Sequence, residues 1–500
     1  PCTATGAKCY NTRATCKDTP NFLLSATPLS LFFSRGRVAE QEVEGADYII
    51  PSLVDVSTAP ARINLASSNP DSAGLGNRSV CSMSFIDHAH TDRIVDPYLS
   101  DRAFDPLTRG SYWTKWMVRN KYRQNIETVV YEGYAGQSLA EMVSRTHFMQ
   151  SISGPDGAGR INVQGKDILA KLEERKAQAP ALSPGKLYAD IDAVVTTFEA
   201  ANSVLADYTA TGTLRIGNEV MTYTGRTTTT NGVTFTGITR GTDNTTAATH
   251  KQDDAVQWCL RYTAAAINTV CVDLLANYGG IPAVWLDSTN WAAEVSETLS
   301  AYLVTRLFTK PLAVTEIVSR LQTQALFNLW WDERDRLVKL KAIRAISDTP
   351  TLITAEDNII AGSFSLDEMP RERASQVWMH YGLRNPVEDG NDAKNYNYVT
   401  IVANLESETD ELYGEASIRK IYADFLPNAA LANTTASKIS NAYVDIPSVC
   451  TFQMDAKDRA FWIMDVFQIS HHLDVGIFGA RNIRFWTVVS AEEIIPGETV

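Results

Sequence analysis

The chain has 500 residues, a formal net charge of −13 and an ordinary globular composition, 44% hydrophobic and 21% charged. That length suggests about three domains, and the absence of any run of about 18 apolar residues excludes a membrane-crossing helix. The acidic balance argues against a surface that grips nucleic acid, which needs clustered Lys and Arg. No charged stretch followed by an apolar one opens the sequence, so it reads as made and folded in a cytoplasm, where thiols favour metals over disulfides.

The first stretch, Pro1–Asn21, holds Cys2, Cys9 and Cys16 at even spacing, three of the seven cysteines. Gly6, Asn11, Thr12, Asp18 and Pro20 interrupt it and no apolar period runs through it, which predicts an irregular loop. A polar loop this rich in thiols needs something to fold around, and zinc, an iron–sulfur cluster or disulfides can supply it. A closed metal site takes four ligands, so the fourth is a distant Cys or His or a residue upstream of Pro1. Cys81, Cys259, Cys271 and Cys450 sit singly in apolar runs and read as small buried hydrophobes.

Short strands are expected at Phe22–Leu24, at Leu29–Phe33 and around Tyr48–Val56, and Val80–Phe85 alternates like a half-buried strand. His88, His90 and Asp92 then spell H-x-H-x-D, the start of a binuclear metal motif. The motif wants His after the Asp, and Arg93 stands there, so a loop laced by Asp–Arg pairs is the plainer reading. Residues 116–120 and 127–136 read as strands, and 147–167 as a hairpin turning at GPDGAG. Residues 167–182 read as a short amphipathic helix stopped by Pro180.

A block rich in Thr, Val and Gly follows, which predicts a small inserted β-domain. Within it His250 reads as structural. From residue 262 the period turns helical, with Gly279 as a C-cap, and continues through SETLSAYLVTRLF and KPLAVTEIVSRLQTQA. FNLWWDERDRLVKLKAIR then predicts a hairpin, with Trp330 and Trp331 as a core and an interface residue. Residues 364–500 alternate again, apart from a helical interlude at IRKIYADFL and LANTTASKISNAYVDI. No nucleophile elbow, H-E-x-x-H, P-loop or dinucleotide fingerprint is present.

Four stretches, PCTATGAKCYNTRATCKD, DHAHTDRIVDPYLSDRAFDPLTRG, GTLRIGNEVMTYTG…GITRGT…AATH and LFNLWWDERDRLVKLKAIR, resemble the tail-tip or baseplate central hub proteins of siphophages and related gene-transfer particles. The resemblance covers most of residues 1–345 and is looser beyond. It implies a mainly β, multidomain (α+β) chain: a cysteine-rich metal or cluster segment at 1–21, a first hub β-barrel domain at 22–185, the inserted β-domain at 186–259, a helical α/β section at 260–346 and a second hub β-barrel domain at 347–500. It further implies a non-enzymatic, homotrimeric virion protein at the tail tip, assembled in the host cytoplasm without a membrane anchor. Such a hub joins the six-fold tail tube to a three-fold tip and closes or passes the lumen for DNA, which it does not bind specifically. The implied partners are a distal tail protein or tube ring, the tape-measure protein, and other tail-tip or receptor-binding proteins. Relatives of the cysteine segment bind an iron–sulfur cluster, which points to Cys2, Cys9 and Cys16 as ligands of a 4Fe–4S cluster, with zinc as the alternative. Two other readings stand beside this one: a receptor- or glycan-binding module using exposed aromatics of the inserted β-domain, and a metal-dependent hydrolase using His88, His90 and Asp92.

Overall fold

The computed structural model describes residues 8–25, 27–37, 43–65, 75–134, 136–344, 350–458, 460–492 and 494. It is mostly β-sheet with few helices, arranged in several packed units. The first unit is a six-stranded sheet of β1 (Phe32–Arg35), β2 (Ile49–Ala59), β3 (Val80–Ile86), β4 (Glu127–Glu132), β5 (Val143–Ser153) and β6 (Arg160–Lys166), in spatial order β1-β2-β3-β6-β5-β4. The β1–β2 pairing is parallel and the rest are antiparallel. Alternation does the sorting: Cys81, Met83 and Phe85 of β3 and Ile161 and Val163 of β6 point to one buried face. The β5–β6 hairpin forms as read, with Asp156 accepting the N–H groups of Ala158 and Arg160 at its turn.

Residues 116–120 are not a strand. They lie in helix α1 (Tyr112–Arg119), which covers the sheet with Tyr112 and Trp113. Asp87, at the end of β3, accepts the Trp113 N–H at 3.0 Å and places a carboxylate at the helix N-terminus. Phe22–Leu24 is irregular rather than extended, with Leu23 and Leu24 exposed. The helix expected over 167–182 shrinks to a 3-10 turn at Ile168–Glu173. Ile168, Leu169, Ala170 and Leu172 are all buried there, and only Lys171 and Glu173 reach toward solvent, so the segment is an apolar plug with a narrow polar edge.

The Thr-, Val- and Gly-rich block forms strands that pack around Phe198, Leu214, Tyr223, Val233 and Phe235. A buried polar knot sits beside this apolar core. Glu219 accepts two bonds from Arg240 at 2.7 Å, one from Gly241 N at 3.0 Å, one from Ala248 N at 3.0 Å and one from His250 Nε2 at 2.8 Å. Gly241 sits at φ +60, and a Cβ there would come within 2.8 Å of Ala247 N, so the turn that brings its N–H to Glu219 requires glycine. His250 is structural, as read. Burial opposes ionisation of Glu219, yet the Arg240 guanidinium, the Ala248 N–H and His250 hold its pKa down at about 2.

Strand Gln257–Ala266 leaves this domain and pairs with Leu303–Phe308, where a helical period had been expected. Val304, Leu307 and Phe308 are buried in that strand. The helix at Ile267–Val272 continues in π-helical turns to Tyr278 and ends at Gly279, whose N–H bonds the Leu274 carbonyl. Helix Val314–Ala325 then leads through Leu326, at φ 57, into the expected hairpin Phe327–Asp332 and Leu337–Ala342. Every residue of Phe327–Asp332 is buried. Trp331 joins the large central core, with Phe148 and Trp285 edge-on to it. Trp330 faces the other way, into a second cluster with Ala61, Ile63, Ile463 and Met464. Neither tryptophan lies on the surface.

The central core extends into the three-stranded sheet of Tyr396–Ala403, Gln376–Leu383 and Ile418–Ala423 and the helix Ala429–Tyr443 behind it. Ile418–Ala423, expected to be helical, is a strand parallel to Gln376–Leu383, with Arg419, Ile421 and Ala423 alternately buried. A smaller cluster around Ile353, Phe364, Phe467 and Ile469 closes the C-terminal part.

Truncating Trp331 to Ala is expected to cost about 3–5 kcal/mol in chemical denaturation, because the strand has no free face along which to collapse. Glu219→Gln is expected to cost about 3–5 kcal/mol by leaving Arg240 unpaired in the interior. Because folding lowers the Glu219 pKa from 4.5 to about 2, its contribution is complete above about pH 4.5 and fades as the pH falls through about 2. Acid unfolding of the Gln variant should lack that part of the pH dependence.

Candidate functional site

Among the described residues of the cysteine segment, Lys8–Asn21, no helix longer than a 3-10 turn and no strand forms, as the sequence predicted. The segment is held from outside, by the Asp- and Arg-rich block that follows β3. Tyr10 lies between two guanidinium groups, with Arg119 3.8 Å and Arg102 4.2 Å from its ring centre. Arg102 also donates to the Cys9 carbonyl at 3.3 Å, and Thr12 Oγ1 donates to the Arg119 carbonyl. Lys8 pairs with Asp101.

Each of those arginines is fixed in turn. Asp96 takes Arg102 with both oxygens, at 2.8 and 3.1 Å. Asp92, fully buried, pairs with Arg119 Nη2 at 2.8 Å and Lys115 Nζ at 2.7 Å. Although burial opposes its charge, these two cations hold the Asp92 pKa below the usual carboxylate value. Lys115 also donates to the carbonyls of His90 and Pro106. Helix α1 thus presents Lys115 and Arg119, one turn apart, to a single buried carboxylate.

His88, His90 and Asp92 do not converge on a shared point. His88 Nδ1 lies 2.9 Å from the Ala89 carbonyl, so it carries the proton. His90 Nδ1 accepts the Asp92 N–H at 2.9 Å, which leaves Nε2 to donate to Tyr48 Oη at 3.3 Å. Burial, and then the neighbouring His88, lower the pKa of His90. With its carboxylate committed to Lys115 and Arg119, Asp92 serves as an electrostatic anchor, which is the loop of Asp–Arg pairs read from the sequence.

The predicted ligands divide. Cys2 lies outside the described residues. Cys9 is buried, with Sγ 3.9 Å from Asn11 Oδ1, and Cys16 Sγ accepts the Asp18 N–H at 3.4 Å. Both are free thiols. Among the described residues, no group of three His, Cys, Asp or Glu is placed to hold a metal. Cys81, Cys259 and Cys271 are buried as expected, while Cys450 is only half-buried. Burial pushes all four thiols up to about 12.

Sequence reasoning missed a second polar cluster, whose members lie far apart in the chain. Ser79 Oγ sits 2.8 Å from His147 Nε2, and the Ser79 N–H donates to Asp167 at 2.9 Å. The pair has the spacing of a nucleophile and its base, but Ser79 is 1% and His147 0% exposed, so no substrate reaches it. Burial lowers the His147 pKa to about 4 and keeps the ring neutral. In the inserted β-domain, Phe198, Tyr208, Tyr223 and Phe235 point inward and Tyr188 is exposed, so the aromatics do not form an outward platform.

Among the described residues no helix is long and apolar enough to cross a membrane. No protein-family model and no curated protein matches the chain. Its neighbours among solved structures are phage tail proteins and a gene-transfer particle. The 43 kDa tail protein of prophage MuSo2 from Shewanella oneidensis aligns over 87% of this chain and 92% of its own at 8% identity and a TM-score of 0.36. Prophage tail protein gp18 from Listeria monocytogenes EGD-e aligns over 91% of each chain at 8% identity and a TM-score of 0.35. A chain of the native gene transfer agent virion aligns over 97% of this chain and 94% of its own at 11% identity and a TM-score of 0.25. Overlays at these scores do not by themselves establish a common fold.

Tyr10→Ala is expected to release the cysteine segment from α1, with a loss of about 1–2 kcal/mol in docking. Hydrogen exchange should then speed up at residues 8–18 and stay unchanged in the inserted β-domain.

Proposed function

We propose that the chain is a structural virion protein, the hub of a phage-type tail tip, which assembles as a homotrimer between the tail tube and the distal tip. The observation that carries the reading is the docking of Lys8–Cys16 on the 87–119 block. The two most specific stretches of the hub resemblance, far apart in sequence, form one body through Tyr10, Arg102, Arg119 and Asp92. The two hub barrels belong to this reading, with the six-stranded sheet as the wall of the first. So do the partners: a distal tail protein or tube ring, the tape-measure protein and other tip proteins.

Surface chemistry supports assembly. A tight turn between Val475 and Arg481 presents Ile477 and Phe478, each 93% exposed. Apolar side chains held out on a turn gain by burial in a neighbour. The net charge of −13 suits a passage that must not retain DNA.

In this reading Cys2, Cys9 and Cys16 hold an iron–sulfur cluster, of the 4Fe–4S type, or alternatively zinc, with a fourth ligand from elsewhere. When bound, the group supplies covalent cross-links that order a segment with no apolar core of its own. The segment's own residues place it: Tyr10 and Thr12 fix it on α1, and Arg102 grips the Cys9 carbonyl.

Native mass spectrometry of chain purified without oxygen tests both parts. A trimer carrying iron and sulfide, lost in Cys9→Ser and Cys16→Ser, is the expected result. A zinc-bearing trimer would keep the hub and change the metal, whereas a monomer holding two metal ions and losing them on His88→Ala would overturn the structural reading.

A further inference from the structure

A cavity of about 220 Å³ opens where the inserted β-domain meets the C-terminal sheets, and three arginines line it. Arg261 comes from strand Gln257–Ala266, Arg306 from its partner Leu303–Phe308, and Arg384 from the turn that follows Gln376–Leu383. Two carboxylates share the wall, Asp243 and Asp424. Asp243 takes Arg261 at 2.7 Å. Asp424 accepts the Gln324 amide on Oδ1 at 2.8 Å, and its Oδ2 is ion-paired with Arg320 Nη2 at 3.0 Å and, more loosely, with Arg306 Nε at 3.5 Å, without a hydrogen bond among the described residues.

Arg306 is the anomaly. It is 8% exposed, and among the described residues neither its Nε nor its Nη1 finds a hydrogen-bond acceptor. A guanidinium with orphaned donors in the interior is costly unless something supplies the missing oxygens. Arg384, exposed on the rim, has no ion pair among the described residues. Thr305 Oγ1 accepts the Ala264 N–H beside them and keeps its own O–H available as a donor. The lining therefore holds three guanidinium groups against two carboxylates and has donors to spare.

We propose that this cavity binds a small phosphoryl-type oxyanion, with Arg306 as its buried anchor and Arg261, Arg384 and Thr305 completing the shell. Planar guanidinium groups match tetrahedral phosphoryl oxygens in pairs, which favours phosphate over halide. Its walls come from the inserted β-domain, the strand pair and the C-terminal sheet, so a bound anion tightens the junction of all three. Such a ligand raises the thermal stability of the whole chain by mass action.

The test is isothermal titration and thermal unfolding of the full chain with inorganic phosphate, at ionic strength held constant with chloride, and in parallel with N-acetylglutamate. Saturable phosphate binding is expected, with Tm rising with phosphate concentration. Arg384→Gln, at an exposed position, should keep the unliganded Tm and weaken binding about tenfold or more, and Arg306→Gln should abolish it. The proposal is overturned if phosphate shifts Tm no more than chloride does, if Arg384→Gln binds like the parent chain, or if N-acetylglutamate binds and phosphate does not.

Discussion

The structure depends first on a strand with no outside. Phe327–Asp332 is buried along its whole length, so its two faces must each be matched by a separate apolar partner. Trp331 closes the large central core against Phe148 and Trp285, and Trp330 closes the smaller cluster with Ile63 and Met464. One hairpin thereby joins the six-stranded sheet, the helical section and the C-terminal part. The period-two geometry of a strand makes that possible, because adjacent side chains leave on opposite sides. The parts of this chain share interiors to an extent that beads on a linker do not.

Around that apolar centre, charge is used as a fastener. Glu219 gathers Arg240, His250 and two backbone N–H groups in the inserted β-domain, and Asp92 gathers Lys115 and Arg119 beneath the cysteine segment. Both carboxylates are buried, where an unpaired charge is heavily penalised, so each is selective about the arrangement it accepts. The same logic marks the arginine-lined cavity, where Arg306 Nε and Nη1 and the facing Asp424 Oδ2 all lack a hydrogen bond among the described residues. Whereas the Glu219 knot is complete, the Arg306 site is incomplete within the described chain.

Much of the chain's organisation was legible as sequence. The β3, β5–β6 and Phe327–Ala342 readings rest on local alternation and turn chemistry, which survive in any tertiary setting. Several readings failed, three of them for a common reason. Residues 116–120 are rich in β-forming side chains yet extend a helix capped by Asp87. Ile168–Glu173 buries four of its six residues as a short plug against the core, and Ile418–Ala423 is drawn into a sheet by a parallel neighbour about forty residues earlier. Tertiary contacts outweigh propensities worth a few tenths of a kcal/mol per residue.

The candidate site shows the same division. The sequence by itself determined that Cys9 and Cys16 lie in a loop with no core of its own, that the 87–119 block is laced by Asp–Arg pairs, and that His250 is structural. Those are properties of composition and spacing, which the chain carries wherever it folds. Only the tertiary structure decided that the loop is clamped through Tyr10 between Arg102 and Arg119, that Asp92 serves two cations, and that Ser79 meets His147 in a sealed interior. It alone placed Arg261, Arg306 and Arg384 around one cavity. Those pairings join residues tens to more than a hundred positions apart, and the energy of a buried charge depends on what is packed against it, which no local pattern encodes.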